Sequence, residues 1–291
     1  MLPVITSIQA LKQHIKALKE SRETIGFVPT MGALHEGHIS LVRQAKKEND
    51  TVVVSIFVNP LQFGKNEDFS RYPRTFGNDC ELLSQEGADI VFSPSAAEMY
   101  QDGFCTAVIP ESLEDKLCGK SRPGHFRGVA VVVLKLFNLI QPDIAYFGQK
   151  DFQQTVVIKR IVSDLHVGVT IKVLPTIRDR HGLALSSRNA YLGETEKTDA
   201  LCLYAALTRA KTLANTGTTD TGEILREMEK IIIRCTSATI DYIAIVNPET
   251  LEAVPKAQSG DVVALAVRIG KTRLIDNIIL ILMVVLSCLG M

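Results

Sequence analysis

His35 and His38 stand three residues apart in the stretch Pro29-Thr30-Met31-Gly32-Ala33-Leu34-His35-Glu36-Gly37-His38. Imidazoles at that spacing can lie on one side of a helix entrance. Such a pair could ligate a metal, but no third ligand lies near in the sequence, so no metal site is expected there. Facing an anion is the alternative. Gly32 and Gly37 let the backbone approach a ligand closely. A helix opening here would offer free N–H groups and the positive end of its dipole. The flanks predict that helix. Thr24-Ile25-Gly26-Phe27-Val28 is short and apolar and reads as a buried strand. Ile39, Leu41, Val42 and Ala45 then recur at helical spacing, with Arg43, Gln44, Lys46 and Lys47 between them, to about Asn49. The stretch is thus the turn of a βα unit. Many such turns do no chemistry, and the paired imidazoles are what set this one apart.

A second strand–glycine–helix junction follows Asp143-Ile144-Ala145-Tyr146-Phe147, at Gly148-Gln149-Lys150-Asp151. Lys150 can supply a point charge to phosphates. Asp151 can accept from ribose hydroxyls, and Gln154 lies one helical turn on. Thr51 to Phe57 is continuously apolar, as a parallel strand covered on both faces should be. It runs into Val58-Asn59-Pro60-Leu61-Gln62-Phe63-Gly64, where Asn59 and Gln62 could simply cap a loop. Gln62, between Leu61 and Phe63, also suits an amide that binds a substrate in an apolar pocket. Arg122, His125 and Arg127 precede an apolar helix, Val129 to Ile140, and read equally as an anion site or as solvated loop charges. Leu185-Ser186-Ser187-Arg188 offers two hydroxyls and a guanidinium fork.

These motifs resemble one family. His-x-Gly-His is similar to the signature of the adenylate-forming nucleotidyltransferases, which include the class I aminoacyl-tRNA synthetases. Pro29–His38, Val58–Gly64, Arg71–Thr75, Arg122–Val129, Phe147–Gln154, Leu183–Asn189, Asp241–Val246 and Ile269–Asn277, in that order, resemble the pantothenate synthetases, or pantoate–β-alanine ligases. The resemblance implies ATP and Mg²⁺, a pantoyl adenylate formed with release of pyrophosphate, and attack by β-alanine with release of AMP. By residue, it implies that Met31, Gly32, Ala33, Leu34, His35, Glu36, Gly37 and His38 line the ATP site. His38 takes the proton-donor role and His35 lies beside it on the phosphates. Gly148, Gln149, Lys150 and Asp151 hold ATP, and Ile177 meets adenine through its backbone. Leu185, Ser186, Ser187 and Arg188 close over the phosphates. Lys150 and Arg188 join the histidines as the catalytic set. Gln62 and Gln154 hold pantoate, and Gln62 also faces β-alanine. Gln149 stands where the family often has Glu, at a position read as a backbone contact. A cytoplasmic homodimer is implied as well. A nucleotidyltransferase acting on a phosphorylated alcohol would share the histidine turn but not the two glutamines.

The elements around these residues predict an α/β protein. A Rossmann-like parallel sheet is expected over 1–186. A smaller α+β domain is expected over 187–291, associated with closure over the site and with the dimer. Ile8, Leu11, Ile15 and Leu18 suggest a helix within Leu2 to Glu20. After Asn189, two amphipathic helices, Glu194 to Ala214 and Thr221 to Cys235, precede three strands, Ile240–Val246, Asp261–Val267 and Thr272–Ile279. The 32 basic and 32 acidic residues balance, so no nucleic-acid partner is expected. The six cysteines, Cys80, Cys105, Cys118, Cys202, Cys235 and Cys288, contain no Cys-x-x-Cys pair and read as reduced thiols. Met1 to Ala10 has no secretory pattern. Ile278 to Met291 carries no charge. It is shorter than the roughly 17–20 apolar residues a membrane span needs, so it reads as a last strand followed by a loose or partner-covered tail.

Overall fold

A computed structural model describes residues 2–65 and 67–281. The chain forms two compact units. The first runs through Arg178 and includes Leu185–Ser187; the second holds Asp179–Ala184 and the chain from Arg188 onward. The expected boundary at 186/187 falls in this shared stretch.

The first unit comprises β1 (Val4–Ile5), α1 (Ile8–Glu20), β2 (Ile25–Thr30), α2 (Glu36–Glu48), β3 (Thr51–Ile56), α3 (Phe76–Gln85), β4 (Ile90–Phe92), α4 (Ala96–Met99), α5 (Cys118–Ser121), α6 (His125–Ile140), β5 (Ile144–Gly148), α7 (Phe152–Asp164) and β6 (Thr170–Leu174). Its six strands lie in the order β1-β4-β3-β2-β5-β6, every neighbouring pair parallel. All six residues of β3 are buried. They are covered alternately: Val53 packs with Phe27, Phe92 and Phe137 on one face, and Val52 and Val54 with Val28, Val91 and Tyr146 on the other. That two-sided burial is why the strand reads as an unbroken apolar run.

The helix expected within Leu2 to Glu20 runs Ile8–Glu20, because Ser7 caps it by accepting from Ala10 N at 3.2 Å. Val4 and Ile5 instead extend the sheet, beside Val91 and Phe92. The apolar helix expected from Val129 opens four residues earlier, at His125, because Gly124 turns the chain in at φ 81°.

The second unit holds α8 (Glu194–Asn215), α9 (Thr221–Ile232) and a three-stranded antiparallel sheet, β7 (Ala238–Val246), β8 (Val262–Ile269) and β9 (Thr272–Ile279), in that order. Ala206, Leu207 and Ala210 of α8 share a core with Val263, Leu265 and Val267 of β8. The fold is therefore a Rossmann-like parallel sheet with a small α+β unit, as the sequence predicts. The expected tail beyond Ile281 lies outside the described residues. Among the described residues no helix is long and apolar enough to cross a membrane.

Topology fixes where the first unit can bind a ligand. From β2 the chain runs outward through β3 and β4, then returns to β5 on the other side of β2. The order reverses between β2 and β5, and open α/β sheets bind ligands beyond the strand carboxyl ends at such a point. Those ends carry the histidine turn and Gly148–Asp151. The next turn out, Pro60–Gln62, is pressed by α6: a Cβ on Gly128 would lie 2.3 Å from Leu61 O and 2.6 Å from Gln62 N. Gly128→Ala should therefore lower stability by about 1–3 kcal/mol through overpacking. Gly77→Ala, in α3 with no atom within 4 Å of the new Cβ, should raise it by roughly 0.5–1 kcal/mol. Thermal or urea unfolding of the pair checks this, and an unchanged midpoint for Gly128→Ala would contradict the close contact.

Candidate active site

His35 is the N-cap of α2, and its Nδ1 accepts from Gly37 N at 3.1 Å. His38 Nδ1 reaches back to accept from His35 N at 3.4 Å. The two imidazoles thus play the parts of Ser and Glu in a capping box. A nitrogen that accepts from a backbone N–H carries no proton, so each neutral ring is protonated on Nε2. The rings lie 4.1 Å apart, tilted by 38°. Gly37 is required by this arrangement, since a Cβ there would come within 2.9 Å of the His35 ring. Both imidazoles are held neutral. His35 is lowered to about 4, by burial first and then by the Lys150 ammonium, against an opposing pull from Asp151. His38 is lowered to about 3, by burial, then by His35 and Lys150. Most of the N–H groups expected to be free at this helix start are already engaged. Gly37 N goes to His35 Nδ1, His38 N and Ile39 N go to His35 O, and Ala33 N and Leu34 N go to the Asp79 carboxylate. The side-chain donors that an anion would meet here are the two Nε2–H groups and the nearby Lys150 ammonium.

Gln62 is 8% exposed and sits beside this cluster, its Nε2 donating to Met31 Sδ at 3.0 Å. A thioether is a weak acceptor, so an incoming oxygen can replace it readily. The amide orientation is set by a relay. The Tyr100 hydroxyl donates to Asn59 Oδ1 at 2.7 Å, and Asn59 Nδ2 donates to Gln62 Oε1 at 3.1 Å and to Gly128 O at 3.0 Å. With Oε1 engaged, Gln62 presents its NH₂. Asn59 also caps the turn, as expected, by accepting from Leu61 N at 3.2 Å.

The anion site considered for the start of α6 is not what these charges form. Arg122 pairs with Glu67 at 2.6 Å and Arg127 with Glu114 at 2.6 Å. His125 donates from Nδ1 to Gln62 O at 2.8 Å and accepts from Arg122 on Nε2 at 3.0 Å. Burial, then Arg122, lowers it to about 3. This half-buried group holds the Gln62 backbone.

Lys150 and Asp151 lie on the turn Gln149–Asp151, where Lys150 acts electrostatically on both imidazoles and Asp151 on His35. Gln154 is half-buried on α7. Its neighbour Gln153 is buried and structural, accepting from Cys118 N and donating to Leu113 O and Lys116 O. Ile177 O accepts from Leu185 N at 3.0 Å, and Ser187 donates to Ala33 O at 3.1 Å, so both segments belong to the first unit. Ser186 lies between them, and Arg188 begins the return to the second unit. No three His, Cys, Asp or Glu side chains converge among the described residues. Asp79 was not singled out by the sequence reading, although it shares the buried face of α3 with Leu83, four residues on.

A parallel sheet whose switch point gathers two imidazoles, an ammonium and a buried amide defines a Rossmann-like α/β protein with an anion-receptive crevice. The sequence pattern of the pantoate-β-alanine ligase family matches residues 3–279, and the chain belongs to that family. It is 52% identical to a pantothenate synthetase of Caldicellulosiruptor bescii over 95% of this chain and 98% of that one. It is 51% identical to one of Thermotoga petrophila, over 96% and 100%. The crystal structure of pantothenate synthetase from Thermus thermophilus superposes with a TM-score of 0.92 at 43% identity, covering 96% of this chain and 100% of that one. A Francisella tularensis pantoate-β-alanine ligase, complexed with β-γ ATP and β-alanine, superposes with a TM-score of 0.80 at 37% identity, covering 96% and 98%.

Three histidines kept neutral by the fold make stability depend on acid. Their folded values lie below the ordinary 6.5, so the unfolded chain binds more protons once pH falls below 6.5. The stabilisation is complete above 6.5 and declines as pH falls toward about 4 and then about 3. Urea unfolding at stepped pH should show the decline, and His38→Gln should lessen it. The same pH dependence in wild type and His38→Gln would contradict a neutral, half-buried His38.

Proposed function

We propose that the chain condenses pantoate with β-alanine, driven by ATP, through a pantoyl adenylate. The observation that carries this reading is the meeting of His35, His38 and Lys150 beside the Gln62 amide in a chain of this family. A pantoate carboxylate oxygen forms a bond to the α-phosphorus of ATP as the bond to pyrophosphate breaks. Both reactants are anions and repel, so alignment and charge neutralisation supply most of the acceleration. The Lys150 ammonium supplies a fixed positive charge. The two Nε2–H groups donate to phosphate oxygens without first having to gain a proton. Met31, Gly32, Ala33, Leu34, Glu36 and Gly37 form the wall that carries the histidines. Gln62 and Gln154 hold pantoate, and Gln62 meets β-alanine. The β-alanine amine then forms the C–N bond at the acyl carbon, loses its proton, and AMP leaves.

Gly148, Gln149 and Asp151 with the Ile177 backbone are proposed for adenosine, and Leu185, Ser186, Ser187 and Arg188 for the phosphates. Mg²⁺ is the expected counter-ion; the lack of a convergent protein ligand set among the described residues fits an ion carried on the triphosphate with water, where it neutralises charge. A cytoplasmic homodimer is proposed on the resemblance.

ATP–pyrophosphate exchange tests the reading: it should require pantoate, and exchange driven instead by a phosphorylated alcohol would overturn it. His38→Ala and Lys150→Ala should each lose roughly 10²–10³ in that exchange while remaining folded; wild-type rates in either would contradict the assignment. Gln62→Ala should raise KM for both pantoate and β-alanine, and steady-state kinetics showing both unchanged would remove Gln62 from the pocket.

A further inference from the structure

Asp79 is 1% exposed, and no ion pair compensates it among the described residues. Its Oδ2 accepts from Ala33 N at 3.0 Å, and its Oδ1 accepts from Leu34 N at 2.9 Å and from the Thr75 hydroxyl at 3.0 Å. The turn above it is left-handed: Gly32 has φ 80°, which glycine adopts freely, and Ala33, which has a side chain, is strained at φ 49°. The peptide joining Ala33 to Leu34 is held from both sides, its N–H by Asp79 and its C=O by the Ser187 hydroxyl at 3.1 Å. His35, the cap of α2, is the next residue along.

We propose that Asp79 is the positioning residue of the histidine turn, clamping the Ala33–Leu34 peptide so that the His35 and His38 imidazoles enter the site in the orientation that catalysis uses. A buried carboxylate is costly unless its lone pairs are occupied. It is therefore a stiff template: the left-handed turn that satisfies it is favoured, and a flip of the Ala33–Leu34 peptide would leave both it and Ser187 unsatisfied. It also explains why this turn does not depend on an anion to order its N–H groups. Asp79 touches no reacting atom in this account; it acts through the turn. The inference rests on the proposed adenylation chemistry for its kinetic consequence, but not for its structural one.

The test is Asp79→Asn. The amide can accept from one N–H but sets its own NH₂ against the other, so one clamp bond is lost with little change of volume. Hydrogen exchange at the Ala33 and Leu34 amides should accelerate at least about tenfold relative to the β2 amides. The kcat of pantoate-dependent exchange should fall roughly 10- to 100-fold, as expected when reacting groups are held less well, with KM for pantoate changed much less. Thr75→Val, which removes one donor from the carboxylate, should move the same amides and kcat in the same direction by less, and it decides the matter if Asp79→Asn does not fold. Unchanged exchange at Leu34 in whichever variant folds overturns the proposal whatever the substrate is. Loosened amides with an undiminished kcat also overturn it. Loosened amides in a protein that proves inactive toward pantoate support the clamp and refute the substrate instead.

Discussion

Every α-helix begins with N–H groups that lack partners, and at the start of α2 two of them, His35 N and Gly37 N, are taken by the same two imidazoles that face the crevice. The rest of the site depends on that sharing. Because Nδ1 of each ring is engaged with backbone, the proton sits on Nε2, and ring rotation would uncap the helix. Because the rings are packed together and next to Lys150, burial and repulsion outweigh the attraction of Asp151 and keep them uncharged. The result is a pair of fixed hydrogen-bond donors near the Lys150 ammonium. A triphosphate would meet donors already oriented, which is what electrostatic preorganisation requires.

The surrounding structure repeats that logic at the amide. Gln62 is gripped at its carbonyl oxygen by Arg122 and His125, at its side-chain oxygen by Asn59, and from behind by Gly128. What it has left to exchange is an NH₂ resting on sulfur. The paired charges at the start of α6 make sense in this light. Glu67 neutralises Arg122, Arg122 occupies His125 Nε2, and His125 is left as an Nδ1 donor. A network in which each member is satisfied is rigid, and a half-satisfied one would be costlier than an apolar core.

Much of this was legible in the order of residues alone. β2, β3 and β5 announce themselves as short apolar runs, and the glycine-bearing turns after β2 and β5 mark the crevice. What stayed hidden is what depends on partners distant in the chain. β1 is two residues long and becomes a strand only because β4 lies beside it. Asp79 bonds Leu34, 45 positions away, and Arg122 meets Glu67, 55 positions away. Local spacing carries neither fact. The same gap explains why Arg122 and His125 read as a candidate anion site: type and position match one, and only the presence of Glu67 shows that the charge is already taken. The family resemblance carried the substrate identities, which no spacing rule contains, while the tautomers and the carboxylate beneath the turn came from geometry.

The central claim is that backbone capping fixes the proton on Nε2 of both site imidazoles. Long-range ¹H–¹⁵N correlation spectra of histidine-labelled protein at about pH 7 test it directly, with His125 as an internal contrast because its bonds demand the opposite tautomer. The account predicts neutral Nε2–H rings for His35 and His38 and a neutral Nδ1–H ring for His125. An Nδ1–H or doubly protonated ring at either His35 or His38 would contradict it.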